Sequence, residues 1–344
     1  MTLYGIINIM KKILVTGAGG YIGSVATYLL LQNGYTVVAL DNFSTGYREP
    51  LKLIQEKFGK DKLSMYEADL TKNVDDVFQK EKNIDAVLHY AAFCNVDESM
   101  KNPETYFSNN VCGSQNLLST MMKFGVDTII FSSTCAVYGE AEYFPIDEKH
   151  PIHPTTPYGA SKRMVEELIE WYGRLKGLHY VVLRYFNVTG ATEDGMIGDS
   201  KHPSPHLIQN VIRSSLGIEP FFLTCPEVDT PDKSPIRDYV NVVDLNEAHL
   251  RALEYLFNGG KNEIINLGTS TGNSVLEMVH TVQKITGKEF PLKKGTLREG
   301  DDARKVSSIE KAKSVLGWQP KRSIEESVNS LVKWYTSHPK GWNV

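Results

Sequence analysis

Cysteine is scarce in this chain: four residues in 344, at positions 94, 112, 135 and 225. None forms a C-x-x-C pair, and no Cys/His cluster has metal-ligand spacing. A disulfide framework and a zinc site are therefore excluded, no metal is expected, and free thiols in a cytoplasmic protein are the simplest reading. No apolar run approaches the roughly 18 to 20 residues of a membrane span, so no membrane partner is expected. The leader MTLYGIINIM is apolar, but it has no basic start and no clear cleavage site, and it does not read as a signal peptide. Met10 stands directly before the first strand pattern, so residues 1–9 read as an extension outside the fold. Positive charge is not in surplus: 37 Lys and Arg against 41 Asp and Glu leave a net charge of −4, and no nucleic-acid partner is expected. No repeat or low-complexity tract suggests a solenoid.

What is present is ordinary globular composition, 41% hydrophobic and 23% charged, with length for one large domain or two lobes. Lys12–Thr16, Thr36–Leu40, Leu63–Glu67, Ala86–His89, Thr128–Ser133 and Tyr180–Tyr185 read as strands. Tyr21–Asn33, stopped by Gly34, and stretches near 47–58, 74–81, 103–124 and 156–175 read as helices. This alternation predicts an α/β fold with a doubly wound parallel sheet. After Tyr185 the rhythm breaks. Residues 190–205 are rich in Gly, Asp, Ser, Pro and His, residues 224–236 in Pro and Asp, and both read as loops. Helices near 206–216, 244–258, 274–286, 308–316 and 324–337, with short strands near 239–243 and 263–266, predict a smaller C-terminal lobe.

The first strand runs into Gly17-Ala18-Gly19-Gly20-Tyr21-Ile22-Gly23, with glycines at 17, 20 and 23. One glycine permits the tight turn, a second lets backbone approach a pyrophosphate, and a third lets the helix pack on the sheet. The helix N-terminus then meets the phosphates. The motif sits between a strand and a helix, where this mechanism needs it. Asp41 closes the second strand, placed to accept both ribose hydroxyls of NAD and to repel the 2′-phosphate of NADP. A turn cap with Asn42 is the competing reading. Asp69 follows the third strand, placed for the adenine or equally for capping the next helix. A Rossmann domain over residues 10–190 is the expectation. The lobe over 191–344 would mainly bind substrate, with a segment near 236–266 returning to the first domain.

Tyr158 and Lys162 are four apart and share one face of a helix. A phenol of pKa about 10 is a poor base at neutral pH. A neighbouring ammonium and a positive nicotinamide favour the phenolate, and reaching pKa about 7 takes roughly 4 kcal/mol. Such pairs are common on helix surfaces. The upstream glycine turn and the hydroxyl-bearing strand end Ser132-Ser133-Thr134 give this one its meaning. Thr134 would emerge at the carboxyl edge of the sheet, where doubly wound folds bind ligands, and could relay a sugar hydroxyl's proton to Tyr158. A polar strand end satisfied by backbone is the alternative.

Together these segments resemble the extended short-chain dehydrogenase/reductase family. Further segments resemble its UDP-galactose 4-epimerases: Asp41–Gly46, His89–Ala92, Asn109–Val111, Leu183–Asn187, His206–Ile208, Arg237–Val240, Asn266–Gly268 and Arg298–Asp301. The match runs from about Lys11 to Trp318. The resemblance implies Thr134, Tyr158 and Lys162 as catalytic residues. It implies an NAD site of Gly17, Gly20, Tyr21, Ile22, Gly23, Asp41, Asn42, Asp69, Leu70, Tyr90, Asn109 and Tyr185, with Tyr158 and Lys162. It implies that Thr134, Asn187, His206, Leu207, Arg237, Arg298 and Asp301 hold a UDP-sugar. Guanidinium forks suit a diphosphate, although each arginine alone would read as a surface salt bridge. The implied reaction takes a hydride from C4 to NAD, turns the 4-keto sugar over and returns the hydride to its other face. A homodimer built on the helices at 103–124 and 156–175 is also implied, although their apolar faces could equally serve the monomer's core.

Related dehydratases carry Asp and Glu directly after the strand-end Ser/Thr, for elimination of water. Here those positions are Cys135 and Ala136, which favours epimerisation over elimination. Three departures from the epimerase pattern bear on the sugar: Lys233-Ser234 for Gly-Thr, Asn241 for His, and Lys305 at a position that tunes tolerance of N-acetylated sugars. Galactose, an N-acetylhexosamine, a pentose and a uronate all stay open. A dehydratase or reductase, and a non-catalytic NAD-binding regulator, are the alternatives in function; the regulator sits poorly with an intact Tyr158 and Lys162.

Overall fold

The computed structural model describes residues 10–202, 204–290, 292–294 and 303–342. The 1–9 extension lies outside the described residues. Six strands follow the sequence pattern closely: β1 (Lys12–Thr16), β2 (Thr36–Asp41), β3 (Leu63–Glu67), β4 (Ala86–His89), β5 (Thr128–Thr134) and β6 (His179–Tyr185). With the strand Glu263–Leu267 they make a seven-stranded parallel sheet, in the order Glu263–Leu267, β6, β5, β4, β1, β2, β3. Chain order reverses at β1, which pairs β2 on one side and β4 on the other. This is the switch point at whose carboxyl edge doubly wound sheets bind ligands.

The strands read as continuous apolar runs because both faces are covered. Ile13, Val15, Ala39, Leu88 and Leu183 pack with Val25 and Leu30 of α1 (Tyr21–Gln32) and with Leu245 and Leu253 of the helix Val242–Phe257. Leu14, Val38, Val87, Phe131 and Val182 face Leu117 and Met121 of the helix Gly113–Lys123 and Val165 and Ile169 of the helix Pro157–Lys176. A separate core joins the helices Leu207–Ser215, Val275–Thr286 and Ile324–Ser337 through Ile208, Val211, Met278, Val282, Leu331 and Trp334. No helix among the described residues is long and apolar enough to cross a membrane.

The helix expected over 103–124 runs without interruption from Pro103 to Lys123, but its middle, Phe107–Cys112, is π-helical between Pro103–Tyr106 and Gly113–Lys123. Asn110 lies inside the π stretch. Its side chain bonds both the N–H and the C=O of Phe93 (2.9 and 3.0 Å) and Ser161 Oγ (3.0 Å). A short helix Val96–Lys101, capped by Asn95, was not expected; it lies in what reads as a loop after β4.

Candidate active site

A cavity of about 1010 Å³ opens along the carboxyl edge of the sheet. Gly17, Gly20, Tyr21, Ile22 and Gly23 form its floor. Gly17 has φ +69°, and a Cβ there would come within 2.7 Å of Ala91 N. A Cβ on Gly23 would meet Gly17 O at 2.1 Å. Both contacts are with backbone, so neither can relax cheaply, and the turn stays bare beside the start of α1. That is the cradle a dinucleotide's phosphates require.

Asp41 ends β2 almost fully buried. Its Oδ2 accepts the Gly19 N–H (2.8 Å) and its Oδ1 the Phe43 N–H (2.7 Å). Burial raises its pKa, opposed by these two hydrogen bonds. It thus braces the turn, as the competing reading expected, and with Asn42 it lines the cavity. Asp69 and Leu70 line the same wall. Asp69 does not cap the next helix. It accepts the Thr71 N–H and hydroxyl, both at 2.8 Å, and although burial opposes ionisation these and other hydrogen bonds bring its pKa below the usual value. Tyr90 presents its ring to the cavity while its hydroxyl donates to Asn246 Oδ1 (2.8 Å). Asn109 lines the wall and donates to Asn110 Oδ1 (3.0 Å).

Thr134, Tyr158, Lys162 and Tyr185 gather at one end of the cavity. Thr156 caps the helix that carries the Tyr/Lys pair by accepting the Gly159 N–H (3.2 Å), and Pro157 supplies its first residue. Tyr158 and Lys162 therefore stand one turn apart with fixed backbones. Tyr158 is hydrogen-bonded to Thr134, whose Oγ1 also accepts the Ala136 N–H (3.1 Å). Lys162 Nζ donates to the Ser132 carbonyl (2.8 Å). Burial lowers its pKa to about 8. Burial also raises the Tyr158 pKa well above the ordinary phenol, with Tyr185 and Cys94 adding to the effect and the Thr134 bond opposing it. The chain's own groups thus favour the neutral phenol. Lys162 is engaged by Ser132, and a further positive charge in the cavity is what would bring the phenolate into range.

Cys135 and Ala136 follow Thr134 in a short 3-10 turn and line the cavity. The two positions that would hold an eliminating acid and base carry a thiol and a methyl group.

Asn187, His206 and Arg237 also line the cavity. Asn187 and Arg237 also line an adjoining pocket of about 320 Å³, and Leu207 belongs to that pocket rather than the main one. His206 precedes the helix Leu207–Ser215, with its ring 6.3 Å from that of Tyr21, and burial lowers its pKa. Arg237 lies on a two-residue strand paired with Arg304–Lys305, which brings Lys305 to the cavity wall. Arg298 and Asp301 lie outside the described residues. Among the described residues no cluster of His, Cys, Asp and Glu could hold a metal.

The model of the NAD-dependent epimerase/dehydratase family matches residues 13–268. The chain belongs to this family. Among its relatives, the UDP-glucose 4-epimerase of Lactobacillus helveticus is 40% identical over 335 residues, 96% of this chain and 99% of that protein. A crystal structure of a UDP-glucose 4-epimerase superposes with a TM-score of 0.91 at 39% identity, over 97% of this chain and 100% of that one. The UDP-glucose 4-epimerase of Bifidobacterium longum, in complex with NAD+ and UDP, superposes equally well (TM-score 0.91, 33% identity, 96% and 100% covered). NAD is the cofactor of this family member, and the glycine cradle and Asp41 fit it.

Sequence reasoning missed several residues that line the cavity, among them Cys94, Lys201, Asp97 and Glu140. Cys94 and Asp97 sit in the segment after β4, and Lys201 in the loop between Asn187 and His206. No motif marks them. Only their position between motif segments could have drawn attention.

Proposed function

We infer that this protein interconverts UDP-glucose and UDP-galactose by inverting C4 through a transient 4-keto sugar. The observation that carries the reading is the catalytic end of the cavity. Thr134, Tyr158 and Lys162 converge there, and Cys135 and Ala136 occupy the positions where elimination would need carboxylates. The full-length similarity to UDP-glucose 4-epimerases points the same way.

NAD, when bound, supplies the two-electron acceptor that takes the C4 hydrogen and later gives it back. Gly17, Gly20 and Gly23, with Tyr21 and Ile22, would hold its phosphates; Asp41, Asn42, Asp69 and Leu70 its adenosine; and Tyr90, Asn109, Tyr185 and Lys162 its nicotinamide half. Tyr158 takes the proton of the sugar 4-hydroxyl through Thr134, holds it on its phenolic oxygen, and returns it to the inverted alcohol. A positioned base of this kind contributes about 10²- to 10⁴-fold. Asn187, His206, Leu207 and Arg237, with Arg298 and Asp301, would hold UDP while the sugar stays loose enough to turn over.

Lys305 on the cavity wall favours a second reading of the sugar. A cation there suits the carboxylate of a UDP-uronate, with an N-acetylhexosamine and a pentose as the other open sugars. Asp97 and Glu140 also line the cavity, and assay with dTDP-glucose tests whether they support elimination. The working unit is proposed to be a cytoplasmic homodimer. Residues 10–190 are proposed as the NAD domain and 191–344 mainly as the substrate lobe, with the 236–266 segment returning to the first.

The decisive experiment incubates the purified protein with UDP-galactose and no added NAD. UDP-glucose, resolved by NMR, is the expected product. A 4-keto-6-deoxy product from dTDP-glucose would overturn the epimerase reading. Absence of any conversion, with NAD released on denaturation, would turn the search to the other UDP-sugars.

A further inference from the structure

Four cationic side chains line the main cavity among the described residues: Lys162, Lys201, Arg237 and Lys305. Three have evident positions relative to the proposed reaction. Lys162 stands at the catalytic end on the Ser132 carbonyl. Arg237 and Lys305 are register partners on paired strands of the second lobe. Lys201 is different. It hangs from the loop between Asn187 and His206, and its Nζ reaches Cys94 in the segment after β4. With Gly19, Gly20 and Tyr21 it lines a small recess beside the glycine turn.

The loop is anchored where it delivers this lysine. Asp199 Oδ1 accepts the Lys201 N–H (3.1 Å), and its Oδ2 accepts Ser204 Oγ (3.1 Å). Tyr47 Oη donates to the Ser200 carbonyl (3.2 Å), and the Trp342 N–H to Ser200 Oγ (2.7 Å). Tyr47 is itself bound through its N–H to the Gly19 carbonyl (2.9 Å). The lysine is thus fixed against the turn by backbone on both sides.

Its side chain ends on a thiol: Nζ donates to Cys94 Sγ at 3.0 Å. Among the described residues no carboxylate lies within ion-pair distance of it. A half-buried ammonium whose hydrogen-bond partner is one thiol has room in its shell for an anion from the cavity. Cys94 first, then Asp199 and Tyr47, keep it charged against burial. The start of α1 brings N–H groups but no basic side chain to a ligand at the turn.

We propose that Lys201, seated on Cys94 Sγ, is the cation that receives the pyrophosphate of the dinucleotide. The assignment rests on the NAD-dependent reading of the site. It makes cofactor retention depend on a loop of the second lobe, which also leads into the UDP-facing residues. The diphosphate of the UDP-sugar has the same chemistry, but Lys201 borders the glycine turn and acts on Asp41, at the cofactor side.

The test compares full-length wild type, Lys201→Gln and Lys201→Arg for NAD released on denaturation and for affinity to NAD+ and UDP by calorimetry. Lys201→Gln should weaken NAD by about tenfold or more, as loss of one charge-assisted bond requires. Lys201→Arg should recover most of it, and UDP affinity should hardly change. In wild type, NAD should slow maleimide labelling of Cys94, read at that residue by mass spectrometry, and UDP alone should not. Unchanged NAD affinity in a folded Lys201→Gln protein overturns the assignment, as does loss of UDP affinity with NAD unaffected. Should Lys201→Gln fail to fold, Cys94 labelling unaffected by NAD overturns it alone. A wild type that binds no NAD overturns the cofactor reading and the assignment together.

Discussion

Glu166 and Arg184 form a buried two-pronged pair behind the catalytic residues, with Arg184 Nε to Glu166 Oε1 at 2.9 Å and Nη2 to Oε2 at 2.6 Å. Glu166 lies one turn beyond Lys162 on the same helix, and its Oε1 also accepts Ser133 Oγ (2.5 Å). One carboxylate therefore ties together the helix bearing Tyr158 and Lys162, the strand end bearing Thr134, and β6. Glu166→Ala would leave a guanidinium buried without its partner. The expected cost is about 3–5 kcal/mol of unfolding free energy. Turnover should fall with it, because Ser133 adjoins Thr134. Urea denaturation alongside kcat measures both, and unchanged stability would mean that the pair only fills space.

Lys162 carries the opposite trade. Burial brings its pKa from 10.5 down to about 8, so charging it inside the fold costs about 3 kcal/mol. The folded state binds fewer protons than the unfolded one between pH 8 and 10.5, so this cost is complete below pH 8 and fades as pH rises toward 10.5. Lys162→Met should abolish most activity. At pH 7 it should leave the protein as stable as wild type or more so, by about 2 kcal/mol once the lost bond to the Ser132 carbonyl is allowed for. The gain should shrink between pH 8 and 10.5. Thermal unfolding across that range checks it, and a destabilised variant at pH 7 would show that the ammonium is a net structural asset.

The sheet was legible because its strands are buried on both faces and end at glycines and polar turns, so runs such as KILVT stand out. The glycine turn, Asp41 and Thr134 were legible because each stands at the carboxyl end of a strand, and Tyr158 and Lys162 because their spacing of four sets them on one helix face. The helix at 103–124 was legible, but its π-helical middle was not, because Asn110 satisfies backbone groups of a distant segment, which local periodicity does not record. The strand Ile236–Arg237 pairs with Asn273–Ser274 and Arg304–Lys305, each two residues long, and such contacts leave no pattern in sequence. Lys201 was invisible for the same reason: only the folded loop sets it beside Gly19.

Asp41 gives a test of cofactor choice. Its carboxylate lines the cavity and holds the Gly19 and Phe43 N–H groups. Asp41→Ser removes the negative charge that would repel a 2′-phosphate. Preference for NAD over NADP should fall by about tenfold or more. The two freed N–H groups should also cost about 1–3 kcal/mol of stability. Parallel calorimetric titrations with NAD+ and NADP+ measure the ratio, and an unchanged ratio would confine Asp41 to bracing the turn.

The proposed homodimer makes a prediction about one helix face. Met164, Trp171 and Leu175 of the helix Pro157–Lys176 are 45%, 56% and 70% exposed. Their spacings of seven and four residues set them on one side of the helix. The neighbouring helix Gly113–Lys123 reaches the same surface, where Ser119 Oγ and Tyr172 Oη are 2.9 Å apart. A second copy packed there would bury large apolar side chains worth about 1.5–3 kcal/mol each. Trp171→Glu combined with Leu175→Lys should therefore shift the mass in light scattering at micromolar concentration from twice the chain's 38.6 kDa to that of one chain. Neither side chain lines the cavity, so the monomer should retain bound NAD. A wild type that is already monomeric would remove the dimer, and a dimer that survives both substitutions would move its interface to another face.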